Sequence, residues 1–238
     1  MTLQQSRIWL GIDTSTRNLG LALLGEDGGL RVVFDDSGEQ HSRRLIPMLE
    51  ELTGGREAMR SICEVAVNTG PGSFTGLRVG IAAARGLAAA LEIPLRGVDS
   101  FDAHAASGKL ATGLVVVLLN VSRGEVAAGC RGIQPDGQIS SVGEDLCGRP
   151  EVLAEALSKR LGEVGFWLAG DAAEGLAGSF PGSAGVLKQV GSLAEATALV
   201  ARSRNLAGKA PTAFDAHYLR AAEAEIRKSL PEALTGRH

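Results

Sequence analysis

Asp13-Thr14-Ser15-Thr16 sets one carboxylate and three hydroxyls side by side at the end of an apolar run, Ile8-Trp9-Leu10-Gly11-Ile12. Such a turn can hold a divalent cation or phosphate oxygens. It can equally be an Asx or Ser/Thr turn that hydrogen-bonds its own backbone. A second cluster, Asn68-Thr69-Gly70-Pro71-Gly72-Ser73-Phe74-Thr75-Gly76, crowds glycine and hydroxyl residues ahead of an alanine-rich stretch. N–H groups at a helix start there could cradle an anion. The spacing is neither a P-loop, which needs Lys after its last Gly, nor a dinucleotide fingerprint. The preferred reading is structural: Thr75 is an N-cap, and the glycines let two lobes approach closely.

The remaining reactive side chains are dispersed. His41, His104, His217 and His238 form no i, i+4 pair, so no metal site is expected. Cys63, Cys130 and Cys147 lack C-x-x-C spacing, which excludes a disulfide framework or structural zinc and fits a reducing cytoplasm. Neither Ser73 nor any cysteine sits in a G-x-S-x-G signature, and no catalytic residue is assigned. Arg78 and Arg85 stand at i, i+7 after the glycine loop, available to an acidic partner, with solvation as the default.

Positioning these groups requires an α/β scaffold. Leu19 to Leu24 and Leu30 to Phe34 follow the first strand as an antiparallel meander, the second turn being Glu26-Asp27-Gly28-Gly29. From Ser42 the period turns helical, with Leu45, Met48, Leu49 and Leu52 at i, i+3, i+4, i+7. Cys63 to Val67 is a buried strand, Leu77 to Leu91 a helix closed by Ile93-Pro94, and Leu95 to Val98 a strand. A second unit is expected from Asp99: a strand over Leu114 to Asn120, the turn Val121-Ser122-Arg123-Gly124 and a weaker strand to Cys130. Helices at Glu151–Leu161 and Leu193–Arg202 flank a strand at Phe166–Ala169. Strand, turn and strand open both halves, which suggests an internal duplication.

Composition narrows the function. The 238 residues carry 24 Lys+Arg against 27 Asp+Glu, a net charge of −3, so no overall basic field exists to bind a phosphate backbone unaided. Aromatics are 4%, too few to form stacking platforms for single-stranded nucleic acid. With 45% hydrophobic residues a sizeable core is expected. The first residues lack the features of a signal peptide, and the apolar runs fall short of the ~20 residues that cross a bilayer. A soluble, cytoplasmic protein without membrane contact is therefore expected.

Leu10-Gly11-Ile12-Asp13-Thr14-Ser15, His41-Ser42 with Leu45 and Pro47, and above all Asn68 through Gly80 closely resemble the bacterial TsaB (YeaZ) family. The likeness weakens through Arg123-Gly124-Glu125-Val126 and touches Tyr218-Leu219-Arg220. It implies an actin-like ATPase (ASKHA) fold of two ribonuclease H-like lobes, each a mixed sheet flanked by helices, divided here as residues 1–103 and 104–238. It also implies a non-catalytic partner of TsaD in adding the threonylcarbamoyl group to adenosine beside the anticodon of tRNA. TsaE would be a further component, tRNA would be met through the complex, and the ATP and metal would sit on partner subunits. Family members often carry Asp-Ala-Arg-Arg-Gly-Glu in the second-lobe turn. This chain has Asn120-Val121-Ser122, an amide where a metal-binding carboxylate is expected. Asp13, Thr14, Ser15, Gly70, Gly72, Ser73, Thr75, Gly76, Asn120 and Arg123 are accordingly read as a vestigial phosphate site with no cofactor of its own.

With catalysis elsewhere, the work falls to an interface. An exposed stripe of Leu45, Met48, Leu49 and Leu52, with Gly80, Ala83, Arg78 and Arg85 on the next helix, is expected to pack against TsaD, or against a second copy when TsaD is absent. A bulky residue at Gly80 or Ala83 is expected to block that pairing and spare the fold. The alternatives are a phosphotransferase acting alone through Asp13 and the glycine loop, and a glycoprotease-like hydrolase.

Overall fold

A computed structural model describes residues 7–55, 59–121, 124–211 and 214. The first half contains β1 (Ile8–Asp13), β2 (Leu19–Gly25), β3 (Leu30–Asp35), α1 (His41–Thr53), β4 (Ile62–Asn68), α2 (Phe74–Leu91), β5 (Leu95–Val98) and α3 (Ser100–Ser107). The second contains β6 (Gly113–Asn120), β7 (Val126–Ile133), β8 (Ile139–Ser141), β9 (Leu146–Gly148), α4 (Pro150–Leu161), β10 (Phe166–Ala169), α5 (Ala173–Leu176), β11 (Ser183–Val186) and α6 (Leu193–Leu206). The first sheet runs β3-β2-β1-β4-β5, antiparallel through its meander and parallel from β1 to β4 and β5. The second runs β8-β7-β6-β10-β11 with the same directions, and β9 adds beside β7. One topology is therefore used twice, as the repeated strand-turn-strand opening suggests.

Burial on both faces explains the continuous apolar runs of the central strands. Along β1, Leu10 and Ile12 enter the core beneath α1 and α2, whereas Trp9 joins a second core under α6. In α1 the stripe Leu45, Met48, Leu49 and Leu52 is the core face, each residue 2% exposed. Burying such side chains stabilises by about 1.5–3 kcal/mol apiece. The expectation of an exposed stripe is thus corrected: α1's apolar face is spent on its own sheet, and the outer face carries Arg43, Ile46, Pro47, Glu50 and Glu51. Helix α2 begins three residues earlier than expected, is N-capped by Ser73 rather than Thr75, and ends where Glu92 turns left-handed (φ 55°). Over its 18 residues α2 is long and apolar enough to cross a membrane by length and composition, unlike the short runs expected. Leu77, Ile81, Ala84 and Ala88 nevertheless lie buried in the fold.

The last helix of each half packs on the other half's sheet. Helix α3 lies on β6, β7 and β8, and α6 lies on β1, β2 and β4, the two helices touching each other. Gly11 permits the second contact, because a Cβ there would fall inside the backbone of Ala194 and Ala198. A division at residue 103 therefore cuts through α3, and the stretch 104–238 includes a helix that completes the first lobe's core. Two buried ionic networks reinforce the exchange. Glu64 on β4 pairs with Arg96 on β5 and accepts Asn205 Nδ2 from α6 at 2.6 Å. Arg131 on β7, 3% exposed, meets Asp99 and Asp102 at the start of α3 and Asp145 before β9, and Asp102 also takes Arg204 of α6.

His104, buried in α3, adds a pH dependence. Burial lowers its pKa from 6.5 to about 4, against a smaller opposing pull from Asp171. The unfolded chain takes up this proton below 6.5 and the folded chain only near 4, so stability is unaffected above 6.5 and falls as pH drops between the two values. The integrated loss is about 3 kcal/mol. Urea unfolding from pH 7 to pH 4 should show it, and His104→Asn should flatten that part of the profile.

Candidate functional site

The carboxyl-terminal end of β1 carries Asp13, Thr14 and Ser15, 4%, 0% and 4% exposed. Ser15 Oγ donates to Asp13 Oδ1 at 2.7 Å and accepts from Asn68 Nδ2 at 3.3 Å. Asn68 Oδ1 accepts the Gly70 N–H at 3.0 Å and Ser100 Oγ at 2.6 Å. One polar chain thus ties the end of β1 to the end of β4 and to the start of α3. Burial pushes the Asp13 carboxyl above its ordinary value, with the Ser15 hydroxyl the largest opposing influence. Ionised Asp13 is therefore a cost near neutrality, and the fold gains stability as pH falls through its raised pKa.

The glycine loop closes over this turn from the other side. Cβ atoms on Gly72 and Gly76 would fall inside the carbonyl oxygens of Ser15 and Thr14, and one on Gly80 would meet Thr14 Oγ1. Ser73 N donates to Ser15 O at 2.6 Å, and Gly76 N donates to Ser73 Oγ at 3.2 Å. Loop and turn are packed backbone to backbone, with these N–H groups directed into the protein. Gly80 thus serves Thr14, and the expectation that a bulky residue there spares the fold is overturned.

In the second lobe Asn120, at the end of β6, is exposed, and its backbone N–H donates to Asp171 Oδ1 at 2.8 Å. Asp171 was not singled out in the sequence. It lies 51 residues on, and only the pairing of β10 with β6 brings the Gly170-Asp171 turn beside Asn120. A carboxylate is therefore present in this lobe, from another strand end and engaged with backbone. Among the described residues no group of three His, Cys, Asp or Glu side chains could hold a metal ion. Asp13 is buried and held by Ser15, and the glycine loop rests on the Thr14-Ser15 backbone with Gly72, Ser73 and Thr75 exposed. Arg123, and with it part of the second turn, lies outside the described residues, as does the Tyr218-Leu219-Arg220 stretch.

The expected interface residues divide. Ala83 is half-buried against the core, and Arg85 Nη2 donates to the Phe214 carbonyl at 3.0 Å. Arg78 is exposed, its guanidinium 3.9 Å from the centre of the Phe74 ring, which is itself half exposed. The open face of α2 is therefore Phe74, Arg78, Ala82, Gly86 and Ala89.

Two copies of one mixed-sheet unit, with the turn of Asp13 and the glycine loop at the strand ends, define a two-lobed actin-like protein of the ribonuclease H-like class. The profile of the TsaD family, tRNA N6-adenosine threonylcarbamoyltransferase, matches residues 27–159. The chain belongs to this family, and within it to the TsaB (YeaZ) group. Bacillus subtilis tRNA threonylcarbamoyladenosine biosynthesis protein TsaB is 36% identical over 121 residues, 50% of this chain and 53% of that protein. The chain thus spans about half the length of the curated relatives it matches. YeaZ from Pseudomonas aeruginosa superposes with a TM-score of 0.71 at 25% identity, over 87% of this chain and all of that one. A ROK family protein from Streptococcus pneumoniae shares the fold alone, with a TM-score of 0.51 at 10% identity over 85% of this chain and 99% of that one.

Proposed function

We propose that this chain is a non-catalytic partner of a TsaD-type transferase in forming threonylcarbamoyladenosine beside the anticodon of tRNA. One observation supports the non-catalytic part: the Asp13 carboxylate that would serve phosphate or metal is buried and held by Ser15, in a turn on which Gly72, Gly76 and Gly80 pack. The family, and the place of its TsaB relatives in tRNA threonylcarbamoyladenosine biosynthesis, support the pathway. The partner-facing surface is the open face of α2, where Phe74 and Arg78 form an exposed stacked pair and Ala82, Gly86 and Ala89 allow close helix approach. A TsaE-type ATPase completes the assembly, tRNA is met through it, ATP and metal reside on the other subunits, and the work takes place in the cytoplasm.

Reconstitution of tRNA modification from a purified TsaD-type enzyme and TsaE-type ATPase tests this. Product is expected only when the chain is added. Asp13→Asn, which keeps an acceptor for Ser15, is expected to support the same rate. Ala82→Arg is expected to remove stimulation with the fold unchanged. Equal product without the chain, or loss of product with Asp13→Asn alone, would refute the proposal.

A further inference from the structure

Strand β3 ends the first sheet, and its backbone is open along that edge. At the head of the turn between β2 and β3, Gly25 N donates to Gly29 O at 2.7 Å, and Glu26 N donates to Arg7 O at 2.9 Å on the β1 side. Bonded and unbonded pairs alternate along an antiparallel ladder. In the observed register Arg31, Val33 and Asp35 therefore bond to Leu23, Leu21 and Leu19, and the N–H and C=O groups of Leu30, Val32 and Phe34 face outward. Edge strands are ordinarily blunted by proline, a bulge or a short length. Here the register is unbroken over six residues without proline.

The residues with outward-facing backbone also carry the apolar side chains. Leu30, Val32 and Phe34 are 42%, 38% and 53% exposed. They share the sheet face of Leu24, Ala22 and Gly20, which α6 covers over β1 and β2. Charge brackets this stripe. Five acidic residues, Glu26, Asp27, Asp35, Asp36 and Glu39, stand against Arg31 alone in positions 26–39. Arg44 of α1 takes up two of them, Asp35 at 3.0 Å and Glu39 at 3.9 Å. Glu26 and Asp27 before the strand and Asp36 after it stay exposed. A second copy is a poor occupant: pairing β3 with itself in either direction sets acidic end against acidic end, and like charges oppose a strand pair.

We infer that β3 is a docking edge for an extended segment of a different protein, one with apolar residues at alternate positions and Lys or Arg at both ends. The incoming strand bonds to the backbone of Leu30, Val32 and Phe34, lays its apolar side chains beside theirs, and brings its cations to Glu26, Asp27 and Asp36. One added strand buries less than the roughly 1,200–2,000 Å² of a standard stable interface, so the contact is weak and reversible. The edge is separate from the open face of α2 and independent of the transferase partnership.

Fluorescence anisotropy of a labelled peptide, Lys-Lys-Val-Thr-Val-Thr-Val-Lys-Lys, tests it, with the full chain titrated to millimolar concentration. Saturable binding is expected, about tenfold or more tighter than that of the same peptide with Glu in place of Lys. Val32→Pro removes one outward N–H and spares the ladder to β2, so it should weaken binding by about tenfold with the chain still folded by thermal melting. Glu26→Lys, Asp27→Lys and Asp36→Lys together change only exposed side chains and should invert the preference between the two peptides. Ala82→Arg on α2 should leave binding in place. No saturable binding, equal binding of the two peptides, a preference unmoved by the charge reversal, or loss of binding through Ala82→Arg would each overturn the inference. So would sedimentation equilibrium showing a dimer of this chain that Val32→Pro dissolves, since a second copy would then own the edge.

Discussion

Replacing Arg131 by alanine is expected to destabilise the fold by about 3–5 kcal/mol, the usual cost of removing one partner from a buried ionic cluster. Its guanidinium donates from Nε to Asp102 at 2.5 Å, from Nη1 to Asp145 at 2.7 Å and from Nη2 to Asp99 at 3.2 Å. It also lies 5.0 Å from the centre of the Phe101 ring. The three carboxylates and Asp102's second partner, Arg204, come from three separate stretches of chain, Asp99 and Asp102 sharing the start of α3. Without Arg131, Asp102 would keep Arg204 and Asp99 the Phe101 N–H it caps, and α3 would lose its anchor on β7. Arg131→Lys should recover only part of the loss, since an ammonium cannot reach three carboxylates with a planar fork. Chemical denaturation measures both, and an Arg131→Ala loss below about 1 kcal/mol would show that the network is not holding the lobes together.

The second large effect lies at Gly76. An added methyl would fall inside the Thr14 carbonyl oxygen and 3.2 Å from Ser73 Oγ, two atoms fixed by the turn and by the cap of α2. Overpacking of this kind costs about 1–3 kcal/mol, and more where backbone must move. Ten residues along the same helix, a methyl at Gly86 would meet nothing within 4 Å. Gly86→Ala should therefore stabilise by up to about 1 kcal/mol through helix propensity alone. Opposite signs for the two substitutions, read from thermal or urea melts, are the expected result. A neutral Gly76→Ala would mean that the loop does not rest on the Thr14-Ser15 turn.

Much of the fold was legible because local signals were strong. Apolar runs and turn residues mark β1, β2 and β3, the i, i+3, i+4, i+7 stripe marks α1, and α4 lies within one residue of its expected bounds, while α6 runs four residues past its expected end. Helix α3 was missed for a physical reason. Phe101, Ala103, His104 and Ala105 are all buried, so the helix shows no amphipathic period, and its Asp99 N-cap reads as the start of a new unit. The stripe of α1 is legible but its covering is not, because periodicity identifies an apolar face and leaves open whether a sheet or a partner covers it; here it is the sheet.

At the candidate site, Asp13 and the glycine loop are neighbours in space, but Gly72, Gly76 and Gly80 pack on Thr14 and Ser15 within the first lobe, not between two lobes as expected. The partnership of Asn120 with Asp171, and the convergence of Asp99, Asp102 and Asp145 on Arg131, depend on strand pairing and helix exchange between distant segments. No local spacing encodes them.

Calorimetric titration of the isolated chain with ATP and magnesium tests most directly whether the first-lobe turn is closed by the protein itself. No saturable binding is expected, and none should appear with Asp13→Asn. Stoichiometric binding or turnover by the wild-type chain, lost in Asp13→Asn, would contradict it.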